Sequence, residues 1–282
     1  MSTDNRLAVR KTYKLFIGGA FPRSESGRSY LVDTQHDGAG VNVALASRKD
    51  VRDAVLAARA AVATWSGATA YNRGQILYRI AEMLEGRRGQ FIELDNDGST
   101  VDAAIDRWVW YAGWADKIAQ VYGGANPVAG PYFNLSAPEP TGVVGVIAPP
   151  DSPLLGLVSV VAPAIVSGNA VVVLAAPERP LPAVTLAEVL ATSDLPGGVV
   201  NILTGRVAEM GPWLASHADV NALDLTGVTD PELATSLEAA AADTLKRVLR
   251  PAAAPVDWTA DPGLDRITAL LETKTVWHPK GS

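Results

Sequence analysis

A chain of 282 residues has room for one large domain or two small ones, and its 48% apolar and 19% charged residues describe a folded protein with a full core. A formal charge of −6 excludes the basic face that nucleic acid requires, and the densest basic run, EGRRGQ at 85–90, reads as a solvated helix end. The absence of cysteine removes disulfides, thiolate metal sites and cysteine nucleophiles together, and fits a cytoplasmic setting better than a secreted scaffold.

The first residues, MSTDNRLAVRKTYK, hold no apolar stretch of the signal-peptide kind, so no leader is read. YKLFIGGAFPRSESGRSYLV (13–32) reads as a hairpin around a Gly-Gly turn. Two amphipathic helices are expected next, at 48–66 with Val51, Val55, Ala58 and Val62 on one face, and at 72–88 with Ile76, Ile80 and Leu84. A longer helical stretch follows at 99–124. Its Trp110 and Trp114, one turn apart, read as core packing rather than a binding site.

Four β-α units then follow in succession. Strands are expected at 142–148, 170–176, 198–204 and 220–227, and helices near 154–167 and at 181–193, 207–217 and 230–249. That alternation predicts an α/β fold: a Rossmann-like parallel sheet with helices on its faces and right-handed crossovers. The uncharged run from Leu154 to Pro177 is long enough to span a membrane, but Pro163 and Ser167-Gly168-Asn169 divide it into a buried helix and a buried strand. No membrane segment is therefore expected. Residues 250–263, rich in Pro and Ala, read as a linker before a short helix in LDRITALLE and a last strand in TKTVWHP (273–279).

Ligands of such sheets bind where parallel strands end. None of the four junctions carries a dinucleotide fingerprint or a Walker motif. Asp230 is placed to cap the last helix. His36, His217 and His278 lack metal spacing and read as surface or packing residues. Ser152 stands beside Asp151 with no base near it in sequence. By these residues alone the chain is an α/β domain with a nucleotide-type crevice and no visible catalytic apparatus.

Several stretches, in order and spacing, resemble the NAD-dependent aldehyde dehydrogenase family: YKLFIGGAF with SGRSY, YAGWADKI, EPTGVVGVIAP, PAIVSGNAVVVL, LPGGVVNILTG and LASHADVNALDLTG. The resemblance runs from about Tyr13 to Val248 and resumes in ITALLETKTVWHP. It implies a cofactor-binding domain and an oligomerisation element, and it passes over the catalytic domain that holds the family's cysteine and glutamate. The family's P-W-N-F-P turn falls on Pro149, Pro150, Asp151, Ser152 and Pro153. Asp151 thus takes the place of an asparagine that donates to the reaction's oxyanion, and an ionised carboxylate only accepts. The family's ribose-binding lysine falls on Leu174, and its nearby glutamate on Pro177 or Glu178. The family's F-T-G-S reads Leu225-Thr226-Gly227-Val228 here. Ile147, Pro149, Gly205 and Gly227 remain as vestigial cofactor contacts, so no cofactor is expected on this chain alone.

The pattern is similar to the C-terminal half of the two-lobed members of the family (family sixteen). The resemblance implies a Rossmann-like domain at 1–129 and 143–249, a linker at 250–263 replacing the catalytic domain, and an oligomerisation arm at 130–142 and 264–282. The arm is expected to be a hairpin plus a C-terminal strand, with Tyr132, Phe133, Leu135, Thr275, Val276 and Trp277 at the interface. The expected function is a catalytically inactive subunit that assembles with a full-length aldehyde dehydrogenase, the partner holding NAD. The alternatives are a stand-alone nucleotide sensor, separated by calorimetry against NAD and NADP, a structural homodimer, or an enzyme working through Asp151 or Glu178.

Overall fold

The computed structural model describes residues 11–33, 40–95 and 97–280. His36 lies outside these residues. The elements, in chain order, are β1 (Ser29–Val32), β2 (Val41–Ala44), α1 (Arg48–Gly67), α2 (Ala70–Glu85), α3 (Arg88–Asp95), α4 (Gly98–Trp114), α5 (Ile118–Tyr122), β3 (Gly124–Asn126), β4 (Tyr132–Pro140) and β5 (Val143–Ile147). The second half holds α6 (Leu155–Val166), β6 (Ala170–Leu174), α7 (Leu181–Leu190), β7 (Val200–Leu203), α8 (Val207–Ser216), β8 (Ala222–Asp224), α9 (Pro231–Ala242), β9 (Arg247–Leu249), α10 (Asp265–Thr268) and β10 (Leu271–Pro279).

Strands β5 to β9 form one parallel sheet in the order β7-β6-β5-β8-β9. Apart from Gly145, only Val, Ile, Leu and Ala occur in β5 and β6, and every residue of both strands is buried, as a sheet covered on both faces requires. Helix α6 lies wholly in the core despite Pro163. At its end Asn169, fully buried, accepts the Gly142 amide at 2.7 Å and donates to the carbonyls of Ala164 (3.1 Å) and Leu270 (3.0 Å). One amide side chain thus joins β5, α6 and the approach to β10, with its donors and acceptor satisfied as burial demands. Trp110 and Trp114, with ring centroids 5.7 Å apart, pack on the main core as their spacing suggests.

A separate antiparallel sheet, β10-β4-β3, projects from this layer. Strands β4 and β10 pair over nine residues each, from Tyr132↔Pro279 to Pro140↔Leu271. The hairpin that includes 130–142 therefore starts earlier than the sequence suggests, because β4 pairs back onto Gly124–Asn126.

Other boundaries differ for identifiable reasons. The stretch at 99–124 is not one helix: Ala115 and Lys117 donate to carbonyls three residues back, which closes α4, and Gly123 and Gly124 lead into β3. The expected helix at 230–249 stops at Ala242. Leu245 adopts φ 55, the chain reverses, and Arg247–Leu249 becomes a fifth parallel strand beside β8. A left-handed leucine is not a stop signal a reader of sequence would use. At the N-terminal side, Gly18 and Gly19 do form the tight turn, with Ile17 and Ala20 exchanging hydrogen bonds at 3.0 Å, but Phe16 pairs with Ile202 of β7. The true hairpin there is β1-β2. Helix α3, with Phe91 its one fully buried residue, carries too weak an apolar pattern to be anticipated.

Candidate functional site: the crevice at the strand ends

In the sheet order β7-β6-β5-β8-β9 the direction of strand addition reverses between β5 and β8. An open α/β sheet places its ligand crevice at that reversal, beyond the carboxyl ends of the strands. Here the turn after β5 carries Pro149 to Pro153, and the turn after β8 carries Leu225 to Thr229. A cleft of about 810 Å³ lies between them, bounded by Pro150, Asp151, Thr226, Val228, the face of α9 and residues 250–256. That is within the size range of small-molecule sites.

The polar groups at this place are arranged around Asp224, the last residue of β8, which is almost fully buried. Its carboxylate accepts the Thr226 amide at 2.9 Å and the Thr226 hydroxyl, and pairs with Arg266 at 2.7 Å. Arg266 also donates to the Thr226 hydroxyl at 3.1 Å, and its guanidinium lies 5.8 Å from the Trp258 ring centre. Trp258 donates its indole N–H to Asp151 at 3.2 Å. From α4 the buried Arg107 reaches the carbonyls of Trp258 (2.7 Å) and Ala260 (3.0 Å) and the Ser159 hydroxyl (3.0 Å). Burial pushes the Arg107 guanidinium below its ordinary value, against the pull of Tyr111 and Asp261. Burial likewise pushes the Tyr111 hydroxyl up to about 12, partly offset by Arg107 and Arg266. The expected linker at 250–263 is thus irregular in conformation but fastened across the crevice.

Sequence reasoning found Asp151 but missed Arg107, Asp224, Trp258 and Arg266. A signal existed in VNALDLTG: a charge in a strand that is otherwise apolar needs a buried partner. Nothing in the spacing says that the partner is 42 residues on.

The expected cofactor residues sit where the reading places them, at the strand ends, but their surroundings fit a dinucleotide poorly. Ile147 and Pro149 flank Ala148 at the end of β5. A Cβ on Gly227 would lie 2.2 Å from the Ala148 carbonyl oxygen, so this glycine is required by the approach of two backbones. Gly205 has φ 139 and faces Leu45 and Ala46. The start of α9 is capped by the Asp230 carboxylate (2.9 Å to the Glu232 amide), begins with Pro231 and carries Glu232 in its first turn. Two carboxylates and a missing N–H make a poor seat for pyrophosphate. Beyond β6, Leu174 is buried and the Pro177 carbonyl takes the Tyr30 hydroxyl at 3.2 Å. Burial, and then the charge of Glu178, push that hydroxyl far above its ordinary value. Glu178 is exposed and Asp151 is engaged by Trp258, so neither stands beside an acid-base partner. Ser152 accepts the Gly156 amide in the first turn of α6 at 2.8 Å. The Nδ1 of His217 accepts the Asp219 amide at 3.2 Å, and His278 is exposed on β10.

The expected interface residues do come together. On one face of the β10-β4-β3 sheet Tyr132 and Trp277 meet edge to face at 5.7 Å, above a ladder of Asn126, Asn134, Ser136 and Thr275 side chains. On the other face lie Phe133, Leu135 and, opposite Leu135, Val276. Tyr132, Phe133, Leu135 and Trp277 are 41%, 47%, 40% and 57% exposed. Among the described residues the outer edge of β10 has no strand beside it.

A parallel sheet of this order, with its crevice at the reversal, defines the class as Rossmann-type α/β proteins. The profile of the aldehyde dehydrogenase family matches residues 23–251, and the chain belongs to that family. It is 35% identical over 261 residues to human (Homo sapiens) retinal dehydrogenase 2, covering 88% of this chain and 49% of that protein. It is also 35% identical over 242 residues to mouse (Mus musculus) cytosolic 10-formyltetrahydrofolate dehydrogenase, covering 80% of this chain and 26% of that one. Among solved structures, an NAD-dependent aldehyde dehydrogenase from Sinorhizobium meliloti superposes with a TM-score of 0.78 at 27% identity, over 88% of this chain and 51% of that one. The NAD+ complex of an aldehyde dehydrogenase from Bacillus cereus gives 0.78 at 26%, over 84% and 50%. The chain thus spans about half or less of the length of these relatives. No helix among the described residues is long and apolar enough to cross a membrane.

Proposed function

We propose that this chain is a non-catalytic subunit of the aldehyde dehydrogenase family that assembles with a full-length aldehyde dehydrogenase and stabilises or tunes it in the cytoplasm, NAD being held by the partner. The observation that carries this reading is the β10-β4-β3 sheet. A three-stranded sheet with large apolar side chains open on both faces, and an unpaired edge among the described residues, is a surface that soluble proteins cover. Inactivity is supported by the chemistry of the chain. There is no cysteine in 282 residues to act as nucleophile, and Asp151 offers an oxyanion a negative charge.

Native mass spectrometry on the chain purified gently from its own host tests the proposal. A stable assembly with a second polypeptide of full aldehyde dehydrogenase length is expected. A monomer or homodimer refutes it. Val276→Asp, on the Phe133 and Leu135 face, and Tyr132→Asp, on the Trp277 face, locate the contact: at least one dissociates the assembly, and an assembly that survives both does not use this sheet.

A further inference from the structure

The crevice between β5 and β8 is bridged by the chain itself. The stretch from Asp257 to Arg266 reaches from the turn after β5, where Trp258 holds Asp151, to the end of β8, where Arg266 holds Asp224. Between these points Arg107 of α4, which also donates to Ser159 of α6, donates to the carbonyls of Trp258 and Ala260. These three fastenings come from different elements and converge on one segment. Two of them use side chains that are almost fully buried, Arg107 and Asp224. A charge is retained at such depth only when its partners repay its lost hydration, and here the principal partners of both belong to this C-terminal segment.

We propose that residues 250–266 act as an intramolecular closure of the crevice, latched by Arg107, Trp258 and Arg266, which shuts the family's nucleotide entrance in this chain. The closure turns a ligand site into a joint of the fold. It explains why the chain's own Pro- and Ala-rich segment, residues 250–256, forms one wall of the cleft that remains. It also accounts for the acid at the lip: Asp151 serves the Trp258 indole, not a substrate.

The absence of cysteine makes a direct test clean. Val228 lines the cleft and is 7% exposed, so Val228→Cys places a single thiol behind the closure. Its reaction with a bulky maleimide reports how often the crevice opens, and Val172→Cys in the centre of β6 reports global unfolding. The Val228→Cys thiol is expected to react slowly, and about 1 mM NAD, roughly a thousand times a dissociation constant of about 1 µM, is expected to leave that rate unchanged. Adding Arg107→Met keeps the packing of the stem and deletes both carbonyl bonds, and should speed labelling by about tenfold with the Val172→Cys rate unmoved. Trp258→Ala, which leaves both buried charges paired, should act in the same direction. Labelling that changes less than about twofold in both variants, or that NAD slows in the Val228→Cys protein with its latch intact, overturns the closure. The assay uses the chain without any partner, so its failure leaves the assembly proposal standing, and the reverse.

Discussion

Replacing Gly227 by alanine separates two accounts of a residue that a family reading assigns to a cofactor. A Cβ built there meets the Ala148 oxygen at 2.2 Å, the Ala148 carbonyl carbon at 2.4 Å and the Ile147 oxygen at 2.5 Å. All three are backbone atoms of the central strand's end, so no side chain can rotate away. To restore ordinary contact the turn after β8 must withdraw by about 1 Å, a shift of the kind that overpacking forces on a well-filled interior. That movement breaks the bond from the Gly227 amide to the Ile147 carbonyl, now 3.1 Å. The lost hydrogen bond costs about 1 kcal/mol and the overpacking about 1–3 kcal/mol, so Gly227→Ala should destabilise by about 2–4 kcal/mol. In a urea titration followed by tryptophan fluorescence, with a slope of about 3 kcal/mol per molar, the midpoint should fall by about 1 M. A glycine kept only so that phosphate can approach would face open space, and its alanine variant would unfold within about 0.5 kcal/mol of the parent. A midpoint shift that small refutes the argument from backbone approach.

Two further changes test the fold away from the crevice. Leu245 holds φ 55 while 92% exposed, so Leu245→Gly removes strain without losing packing and should stabilise by about 0.5–1 kcal/mol, raising Tm by a few degrees; a lower Tm contradicts the account of why α9 stops. Glu188 is held below the usual carboxylate range: burial works to raise it, but hydrogen bonds from Arg87 and Lys11 prevail. A depressed carboxylate contributes stability above its unfolded value and loses it as pH falls through the folded value. Glu188→Gln should therefore cost about 0.5–1 kcal/mol at pH 7, discounted for partial exposure, and that cost should fade at an acid pH below the usual carboxylate range. Urea midpoints at the two pH values decide it, and a gap that does not close with acid excludes this linkage.

The parallel sheet was legible because its signal is redundant. Continuous apolar strands, intervening helices and turns marked by Gly or Pro all give the same alternation, so errors at single residues do not change the topology. What was illegible depends on pairs far apart in the chain. Nothing local marks Arg247–Leu249 as a strand: its neighbours are helical in pattern, and its pairing with β8 is decided by a reversal at a leucine. The crevice behaved in the same way. Asp151 could be read as a lost donor from its position in the turn, but that it would receive the indole of Trp258, 107 residues later, could not. By contrast the residues of β4 and β10 were named through the family resemblance, and the period of a strand then places Phe133 with Leu135 and Tyr132 near Trp277.

The buried pair of Asp224 and Arg266 sets what it costs to open the crevice in this chain. A carboxylate at the end of a central strand is costly unless a cation reaches it, and removing one partner of such a pair costs about 3–5 kcal/mol. The cation here is delivered by the segment that crosses the crevice, one turn of helix before the chain enters β10. Opening the crevice by moving that segment therefore strips Asp224 of its partner, whereas in an open Rossmann crevice the strand ends carry no such debt and a ligand enters freely. A sheet built this way has committed its ligand crevice to holding its own C-terminal segment. Under the proposed assembly, the exposed faces of β4 and β10 are then the surface through which the chain meets its partner.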